Sequence, residues 1–369
     1  MANRAVWAEV DLKALEDNIR NIKSCIHNNA KWCAVVKADG YGHGAIAVAR
    51  KAVEMGADYL AVAVLSEAIS LRNAGFTTPI LILGATPSEF ASQIVDYDIT
   101  QAVFSVDQAK AISAQAVRQN KKAKIHLKID TGMHRIGIKP AEAGDFAKGV
   151  SVMPGIELEG MFSHFALADA QDKTYAKKQV VAFEEAIANV EKAGVNIPIK
   201  HIANSAAILE MPEVHFDMVR AGIILYGLWP SEEVQHNIEL KPLMKLCAKV
   251  VFLKELEAGA SVSYGCTWTA QRKSLIGTLP VGYADGYTRL FSGKAQVEFN
   301  GKRSPVVGRI CMDQCMVDFT DNQRIKEGDT VVLYGSEDLP IDEAAGWLGT
   351  INYELPCMLS PRIPRVYKG

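Results

Sequence analysis

A lysine between an apolar run and a glycine-rich turn has the clearest chemical potential in this chain. Lys37 follows the apolar residues 32–36 and precedes the turn A-D-G-Y-G-H-G at residues 38–44. A run this apolar predicts a strand buried on both faces. The Lys37 amine at its end would be poorly solvated, which lowers the pKa of that amine. Such a lysine can act as a nucleophile, and the glycines would let a ligand approach the backbone closely. The alternative is a strand-end lysine that extends to water.

Short β-branched runs alternate with helical segments from about residue 30 to 225, which indicates repeated βα units. Helices are predicted at 45–55 and 174–193. Strands are predicted at 34–37, 59–63, 79–83, 102–104, 124–129, 156–162, 199–203 and 217–220. Eight units predict an α/β fold with a TIM-type (β/α)8 barrel over residues 10–235. An open doubly wound sheet is the alternative, but the glycines at 40, 42 and 44 do not have its dinucleotide-binding spacing.

The pattern changes after residue 230 to short alternating runs separated by glycine-bearing turns. Strands are predicted here at 249–253, 274–279, 296–299 and 330–333. They indicate a second, mainly β domain over residues 236–369. Residues 1–9 are candidates to join it, since the segment 5–10 precedes the first barrel strand and could pair with the β domain.

Several polar residues stand at the ends of the predicted barrel strands. The carboxyl ends of parallel barrel strands meet at one rim, where such barrels build their active sites. The residues expected at this rim are Lys37, Lys128, Asp130, His164, Asn204 and Arg220. We therefore predict one active site that draws on several strands.

Composition excludes several classes of protein. Of its 369 residues, 49% are hydrophobic and 22% are charged, which is not the composition of a disordered protein. A formal net charge of -2 argues against a surface that binds nucleic acid. The opening residues lack a signal-peptide pattern and no apolar run reaches about 18 residues, so we expect a cytoplasmic protein without membrane contact. The seven cysteines are scattered without a C-x-x-C pair, and we expect neither disulfides nor a metal site.

The run V-V-K-A-D-G-Y-G-H-G resembles the cofactor-lysine motif of alanine racemases, which use pyridoxal 5'-phosphate. Further motifs of that family follow in order along the chain: K-I-D-T-G-M-H-R-I-G from residue 128, S-H-F from 163, H-I-A-N-S-A-A from 201, M-V-R-A-G-I from 218, S-Y-G from 263, G-R-I-C-M-D-Q from 308 and Y-E-L-P-C from 353. The resemblance implies a fold-type III enzyme that interconverts L- and D-alanine for peptidoglycan. A broad-specificity or serine racemase of the family is the alternative.

The resemblance also implies how the cofactor is held. Lys37 would form the internal Schiff base, and Arg220 would face the pyridine nitrogen with His164 beside it. The neighbourhood of the phosphate would contain Tyr41, Asn204, Ser205, Gly222, Ile223 and Tyr353. A decarboxylase of the same barrel class would carry an acidic residue in place of Arg220. A non-catalytic pyridoxal phosphate carrier would lack the β domain.

Racemisation needs an acid/base group on each face of the α-carbon. The resemblance assigns these roles to Lys37 and Tyr264, with Tyr264 delivered by the partner subunit, so it implies a homodimer with shared sites. It places Arg135, Met312 and Asp313 at the substrate carboxylate, and it makes Lys128 a candidate for carbamylation. The entrance would be formed by Ala170, Tyr283, Arg289, Arg309 and Ile351.

Overall fold

The computed structural model describes residues 4–27 and 29–369, which form two compact units. The larger unit comprises Leu15–Gly40 and Ala45–Lys241. The smaller unit comprises Tyr41–Gly44, Pro242–Gly369 and the start of the chain up to Ala14. The sequence-based boundaries at residues 10 and 235 stay a prediction.

Eight parallel strands form the sheet of the larger unit, and all eight were predicted. They are β2 (Lys31–Val35), β3 (Tyr59–Val62), β4 (Ile80–Ile82), β5 (Thr100–Val103), β6 (Ala123–Lys128), β7 (Ile156–Phe162), β8 (Ile199–His201) and β9 (Met218–Ala221). Strands β2 to β8 lie side by side in chain order. Strand β9 pairs with β2. The Asp217 and Arg220 amides donate to the carbonyls of Lys200 and Ala203 at 3.0 and 3.1 Å. These bonds join β8 to β9, so the strands form the predicted barrel.

Helix α1 (Leu12–Ser24) precedes the first barrel strand. The helices that connect the barrel strands are α2 (Ala45–Glu54), α3 (Leu65–Asn73), α4 (Ala91–Asp96), α5 (Val106–Arg118), α6 (Ala143–Ser151), α7 (Thr174–Lys192) and α8 (Ser205–Glu210). In α7, Ala176, Phe183, Ala186 and Val190 are buried. These residues fall on one face of the helix, which packs on the barrel. Every residue of β3, β4 and β5 is buried, because helices cover the sheet outside and side chains fill it inside.

The smaller unit contains a nine-stranded, mainly antiparallel sheet, a separate antiparallel pair formed by Ser261–Val262 and Trp268–Thr269, and two α-helices, α9 (Ile341–Leu348) and α10 (Glu354–Met358). Its strands are β1 (Val6–Asp11), β10 (Met244–Lys249), β11 (Phe252–Leu256), β12 (Ser261–Val262), β13 (Trp268–Thr269), β14 (Ser274–Leu279), β15 (Gln296–Phe299), β16 (Lys302–Val307), β17 (Cys315–Asp318), β18 (Thr330–Tyr334) and β19 (Arg365–Lys368). Strand β1 pairs with β10 and β19, so the opening segment is part of this sheet. Residues 1–3 lie outside the described residues.

The predicted strand at 249–253 is wrong, because two strands meet there. Strand β10 pairs with β18, whereas β11 pairs with β14. At the junction Val250 donates its amide to Asp329, and Val251 donates to Thr278. The chain thus changes partner within two residues, and an apolar pattern alone does not show such a change. Within the described residues, no helix is long and apolar enough to cross a membrane.

Candidate active site

A cavity of about 280 Å³ lies within the larger unit, where the strands of the barrel end. It is lined by Lys37, Ala63, Leu83, Gly84, Ala85, Lys128, Arg135, Ile136, Phe162, His164 and Arg220. Lys37 lies just beyond β2, Lys128 ends β6 and Arg220 lies in β9. The barrel therefore brings together five of the site residues predicted from the sequence. Four of them are lysines or arginines, and the fifth is His164.

The turn after Lys37 has an unusual backbone. Ala38, Asp39 and Gly40 all have left-handed helical φ/ψ angles, with φ values of 52°, 52° and 62°. This conformation costs about 1–2 kcal/mol for each residue other than glycine. Two carboxylates compensate by accepting backbone hydrogen bonds. Glu67 accepts from the Ala38 amide at 2.6 Å, and Asp39 accepts from the Ala45 amide at 2.9 Å.

Glu67 links this turn to the neighbouring strand. Its second carboxylate oxygen accepts from the amide of Ala63, at the end of β3, at 2.8 Å. Hydrogen bonds to a charged acceptor contribute about 1.5–3 kcal/mol each. Glu67 therefore stabilises the strained backbone that presents Lys37. The sequence did not reveal this residue, because nothing in the local pattern of α3 shows what its side chain contacts.

We expect Glu67→Ala to lower the free energy of unfolding by about 2 kcal/mol, because three amides, those of Ala38, Ala63 and Val64, lose a charged acceptor. Urea denaturation of the purified protein measures this change. Glu89→Ala is the matched control, since Glu89 is exposed, and its effect should stay within about 0.5 kcal/mol. Equal unfolding free energies for the two variants would contradict the role of Glu67.

Lys128 is a buried amine among other cations. Its side chain is only 4% exposed, and its Nζ donates to the carbonyl of Ile129 at 2.7 Å. Burial, with a further contribution from the nearby charge of Arg220, lowers the pKa of Lys128 to about 7. The amine is therefore partly neutral near pH 7, and a neutral amine is a nucleophile.

Asp130 and Arg135 belong to the loop after β6. Burial would raise the pKa of Asp130, but hydrogen bonds from the amides of His134 and Gly132, at 2.9 and 3.1 Å, lower it overall. Asp130 thus organises the loop as an ionised acceptor. Arg135 in the same loop is exposed and lines the cavity.

Arg220 is buried at 3% exposure and surrounded by neutral acceptors. Its guanidinium donates to His201 Nδ1 at 2.8 Å, to His164 Nδ1 at 3.1 Å and to the carbonyls of Ser163 and Ile202 at 2.9 and 3.1 Å. Burial lowers the pKa of Arg220 to about 10, so it remains charged at neutral pH. Burial and the charge of Arg220 hold the pKa of His164 well below its ordinary value. Arg220 is therefore a fixed cation beside a neutral imidazole.

Two neighbouring turns hold four more of the predicted site residues. Asn204 caps α8, and its side chain accepts from the Ala207 amide at 3.1 Å. The Ser205 hydroxyl oxygen accepts from the Gly222 amide at 3.0 Å, and Ile223 begins the next helical turn. Asn204, rather than Ser205, is therefore the cap of this helix. Ser205 instead joins the two turns, and its own hydroxyl proton can still be donated to an anion.

In the smaller unit, Tyr264 lies on a strained turn and is 68% exposed. Its neighbours Ser263 and Gly265 have φ values of 66° and 73°. The Ser263 hydroxyl donates to the carbonyl of Arg309 at 2.5 Å, which holds the turn. A cavity of about 390 Å³ on this unit is lined by Tyr264, Tyr283, Arg289 and Ile310. The phenol of Tyr264 is thus presented outward.

The remaining predicted residues of the smaller unit also have defined partners. Asp313 accepts from Arg362 at 2.7 Å, and the carbonyl of Met312 accepts from the Ala284 amide at 3.0 Å. The rings of Tyr41 and Tyr353 lie 6.2 Å apart, and burial raises the pKa of Tyr41. Ile351 is exposed, as is Met312.

Ala170, the predicted entrance residue of the larger unit, accepts from Lys173 Nζ at 2.8 Å through its carbonyl. In the described part of the chain, no group of three or more histidine, cysteine, aspartate or glutamate side chains could hold a metal ion.

The geometry defines a class of protein. A barrel that presents a lysine on a strained turn, beside an arginine with neutral partners and two further cations, is suited to a carbonyl cofactor with a phosphate and to a carboxylate substrate. These are the features of a pyridoxal phosphate enzyme of the barrel type. The donors fit that cofactor, since Arg220 and Ser205 offer protons and Lys37 offers an amine.

Comparison with known proteins identifies the family. Residues 10–230 match the alanine racemase N-terminal domain and residues 243–367 match the C-terminal domain, so the chain belongs to the alanine racemase family. The alanine racemase of Desulfovibrio desulfuricans is 53% identical, with 99% of this chain and 98% of that protein covered. The relative from Desulforamulus reducens is 48% identical, with 99% of each covered.

Solved structures agree with this assignment. The alanine racemase of Clostridium difficile 630 has a TM-score of 0.97 and 44% identity, and the match covers 100% of this chain and 97% of that one. Its complex with cycloserine has a TM-score of 0.93 and 42% identity, with 100% and 96% covered. The protein is an amino-acid racemase that depends on pyridoxal 5'-phosphate, as the family resemblance implied.

Proposed function

We propose that this racemase acts on alanine in the cytoplasm as a homodimer, and that its D-alanine supplies peptidoglycan synthesis. The observation that carries the proposal is the cavity that joins Lys37 to Arg220, in a chain 53% identical to an alanine racemase over nearly its full length. The test is racemisation of L-alanine, L-serine and larger L-amino acids by the purified protein. We expect alanine to be the fastest substrate. Equal rates for several amino acids would favour the broad-specificity alternative.

Each residue of the proposed site has a defined task. Pyridoxal phosphate supplies an electron sink that acidifies the α-carbon of a bound amino acid. Lys37 holds the cofactor covalently and, once substrate displaces it, moves a proton on one face of that carbon. Tyr264 moves a proton on the other face. Tyr41, Asn204, Ser205, Gly222, Ile223 and Tyr353 bind the phosphate.

Arg220 sets the electronic character of the ring. An arginine donates protons and accepts none, so at the pyridine nitrogen it disfavours a second positive charge. With the cofactor bound, Arg220 would therefore limit how much negative charge the ring withdraws from the α-carbon, which would favour return of a proton to that carbon over side reactions. The four neutral partners of Arg220 support this role, because no carboxylate among them neutralises its charge.

A homodimer explains why large side chains of the smaller unit are exposed in a single chain. Tyr264, Met312 and Ile351 are 68%, 54% and 61% exposed. Exposed apolar groups of this size are typical of protein interfaces. We propose that a second copy covers them and receives Tyr264 in its own site, with Met312 and Asp313 near the substrate carboxylate. Ala170, Tyr283, Arg289, Arg309 and Ile351 would border the entrance.

Lys128 is proposed to be carbamylated. Its neutral amine attacks carbon dioxide: an N–C bond forms, one C=O π bond breaks to leave a carboxylate, and the nitrogen releases one proton. A side chain that would be a cation when protonated is thereby replaced by an anion near Arg135. The anion would orient Arg135 toward the substrate carboxylate. Because the pKa of Lys128 is about 7, the neutral fraction rises between pH 6 and pH 8. Carbamate occupancy should rise with it at constant dissolved carbon dioxide.

Carbon-13 NMR with labelled bicarbonate tests this prediction. We expect one carbamate signal that grows with pH and disappears in Lys128→Ala, whose activity falls and is partly restored by a small added carboxylic acid. Lys122→Ala is the control, since Lys122 is an exposed lysine just before the same strand, and it should keep both the carbamate signal and the activity. A signal that survives in Lys128→Ala, or full activity of that variant without rescue, would contradict the proposal.

A further inference from the structure

A row of buried polar side chains crosses the barrel interior beneath Arg220. His201 on β8 accepts from Arg220, and its Nε2 lies 2.9 Å from Nδ1 of His126 on β6. The Nε2 of His126 lies 3.2 Å from the carboxylate of Glu159 on β7. Lys124 meets the same carboxylate at 3.1 Å, and its own side chain is 37% exposed. The row therefore runs from the cavity to the opposite end of the strands.

The barrel backbone is shaped to hold this row. Strand β7 carries an extra residue, because Ile125 pairs with Leu158 and His126 pairs with Gly160. The extra residue of this bulge is Glu159, and bulges redirect side chains in this way. A Cβ at Gly160 would lie 2.5 to 2.7 Å from three ring atoms of His126. Only glycine leaves room for the imidazole there.

The direction of every hydrogen bond in the row follows from Arg220. An arginine only donates, so His201 Nδ1 must accept and the single proton of neutral His201 lies on Nε2. That proton is donated to His126 Nδ1, which places the proton of neutral His126 on its Nε2. His126 then donates to the Glu159 carboxylate, which is an acceptor only. Every hydrogen bond in the row is thus donated in the same direction, from the Arg220 cation through the two imidazoles to the Glu159 anion.

The ionisation states agree with this chain. Burial lowers the pKa of His126 and holds that of His201 well below its ordinary value, so both rings are neutral. Burial would raise the pKa of Glu159, but hydrogen bonds and charges from His126 and Lys124 lower it to about 2. The Tyr59 hydroxyl also faces this carboxylate. Glu159 is therefore anionic throughout the neutral pH range.

We propose that His201, His126 and Glu159 form a one-directional hydrogen-bond chain that positions Arg220 and keeps an acceptor aimed at its guanidinium. His126 and Glu159 are positioning residues for racemisation, although they lie away from the cavity. The proposal rests on the proposed role of Arg220 at the ring nitrogen. Without the Glu159 carboxylate, the proton of each imidazole can move from Nε2 to Nδ1. The Nδ1–H of His201 would then face the N–H groups of Arg220, and no hydrogen bond could form between them.

The first test measures the tautomers directly in the cofactor-loaded enzyme. Histidines labelled with nitrogen-15 distinguish protonated from unprotonated ring nitrogens, and His126→Asn and His201→Asn assign the signals. We expect Nε2 to carry the proton and Nδ1 to be unprotonated in both rings at pH 7. A proton on Nδ1 of either ring, or a doubly protonated ring, would overturn the chain. This outcome does not depend on any substrate.

The second test compares matched substitutions on one strand. Glu159→Gln removes the anion, whereas Glu157→Gln makes the same change at an exposed position two residues earlier. We expect kcat of Glu159→Gln to fall roughly tenfold, with KM changed less than about twofold. Loss of a residue that orients a site residue through hydrogen bonds typically lowers activity by about tenfold or more. The nitrogen-15 signal of His201 Nδ1 should shift as well. Glu157→Gln should leave both unchanged.

A conservative variant separates positioning from stability. Glu159→Asp retains the anion and should recover a large part of kcat and the His201 signal, even where its melting temperature falls as far as that of Glu159→Gln. A lower melting temperature with unchanged kcat and an unchanged His201 signal in Glu159→Gln would show that the chain is only structural. Should the unmodified enzyme racemise no amino acid, the proposed function fails, while the tautomer measurement still decides whether the chain exists.

Discussion

Tyr264→Phe is expected to retain the cofactor and the dimer while racemisation falls by at least about a hundredfold, the lower range for a lost general acid/base group. The substitution removes one proton and leaves most of the packing unchanged. Deuterium exchange at the α-carbon should survive better from one enantiomer of alanine than from the other, since Lys37 still serves one face. Chiral chromatography and proton NMR in deuterated water measure the two effects.

Tyr97→Phe is the control for this change, because Tyr97 is half-buried in the barrel unit and lines neither cavity described above. It should racemise alanine at the unmodified rate. Equal loss of exchange from both enantiomers in Tyr264→Phe would exclude a two-base mechanism with Tyr264 as one base.

Mixing Tyr264→Phe with Lys37→Ala tests whether the site is shared. In a mixed dimer one site has both defects and the other has neither, so an equal mixture should regain up to about a quarter of the unmodified activity per site. Native mass spectrometry verifies that mixed dimers have formed. Verified mixed dimers without regained activity would exclude a site built from two subunits.

Lys37→Ala is expected to abolish covalent cofactor attachment and reduce racemisation to the limit of detection. It removes the amine that holds the cofactor and that moves a proton on one face of the α-carbon. Borohydride reduction followed by peptide mass spectrometry should find the pyridoxyl group on Lys37 in the unmodified protein and on no residue of the variant.

Lys31→Ala is the matched control for Lys37→Ala, since Lys31 is an exposed lysine on the adjoining strand β2. It should keep the label, the visible absorbance of the bound cofactor and the activity. A pyridoxyl group on a lysine other than Lys37 in the unmodified protein would refute the assignment.

Local sequence patterns were sufficient for much of this protein. Short runs of three to seven residues, rich in apolar side chains, predicted all eight barrel strands, because strands covered on both faces bury most of their side chains. The sequence also predicted that Lys37 and Arg220 lie close together, since each stands at the end of a predicted strand and parallel barrel strands end at a common rim. The family motifs then attached roles to residues whose isolated chemistry was ambiguous, and Tyr264 is the clearest example.

Tertiary structure alone decided which distant side chains meet. The change of partner between β10 and β11 depends on two different neighbouring strands, so the apolar pattern at 249–253 misled the prediction. The hydrogen bond that Ala38 donates to Glu67 joins residues 29 positions apart, and the one that His201 donates to His126 joins residues 75 positions apart. The bulge at Glu159 depends on strand register, which is set by pairing rather than by the residues of one strand. Sequence periodicity reports which face a residue occupies; the residue that it contacts is determined by how separate strands align when the barrel closes.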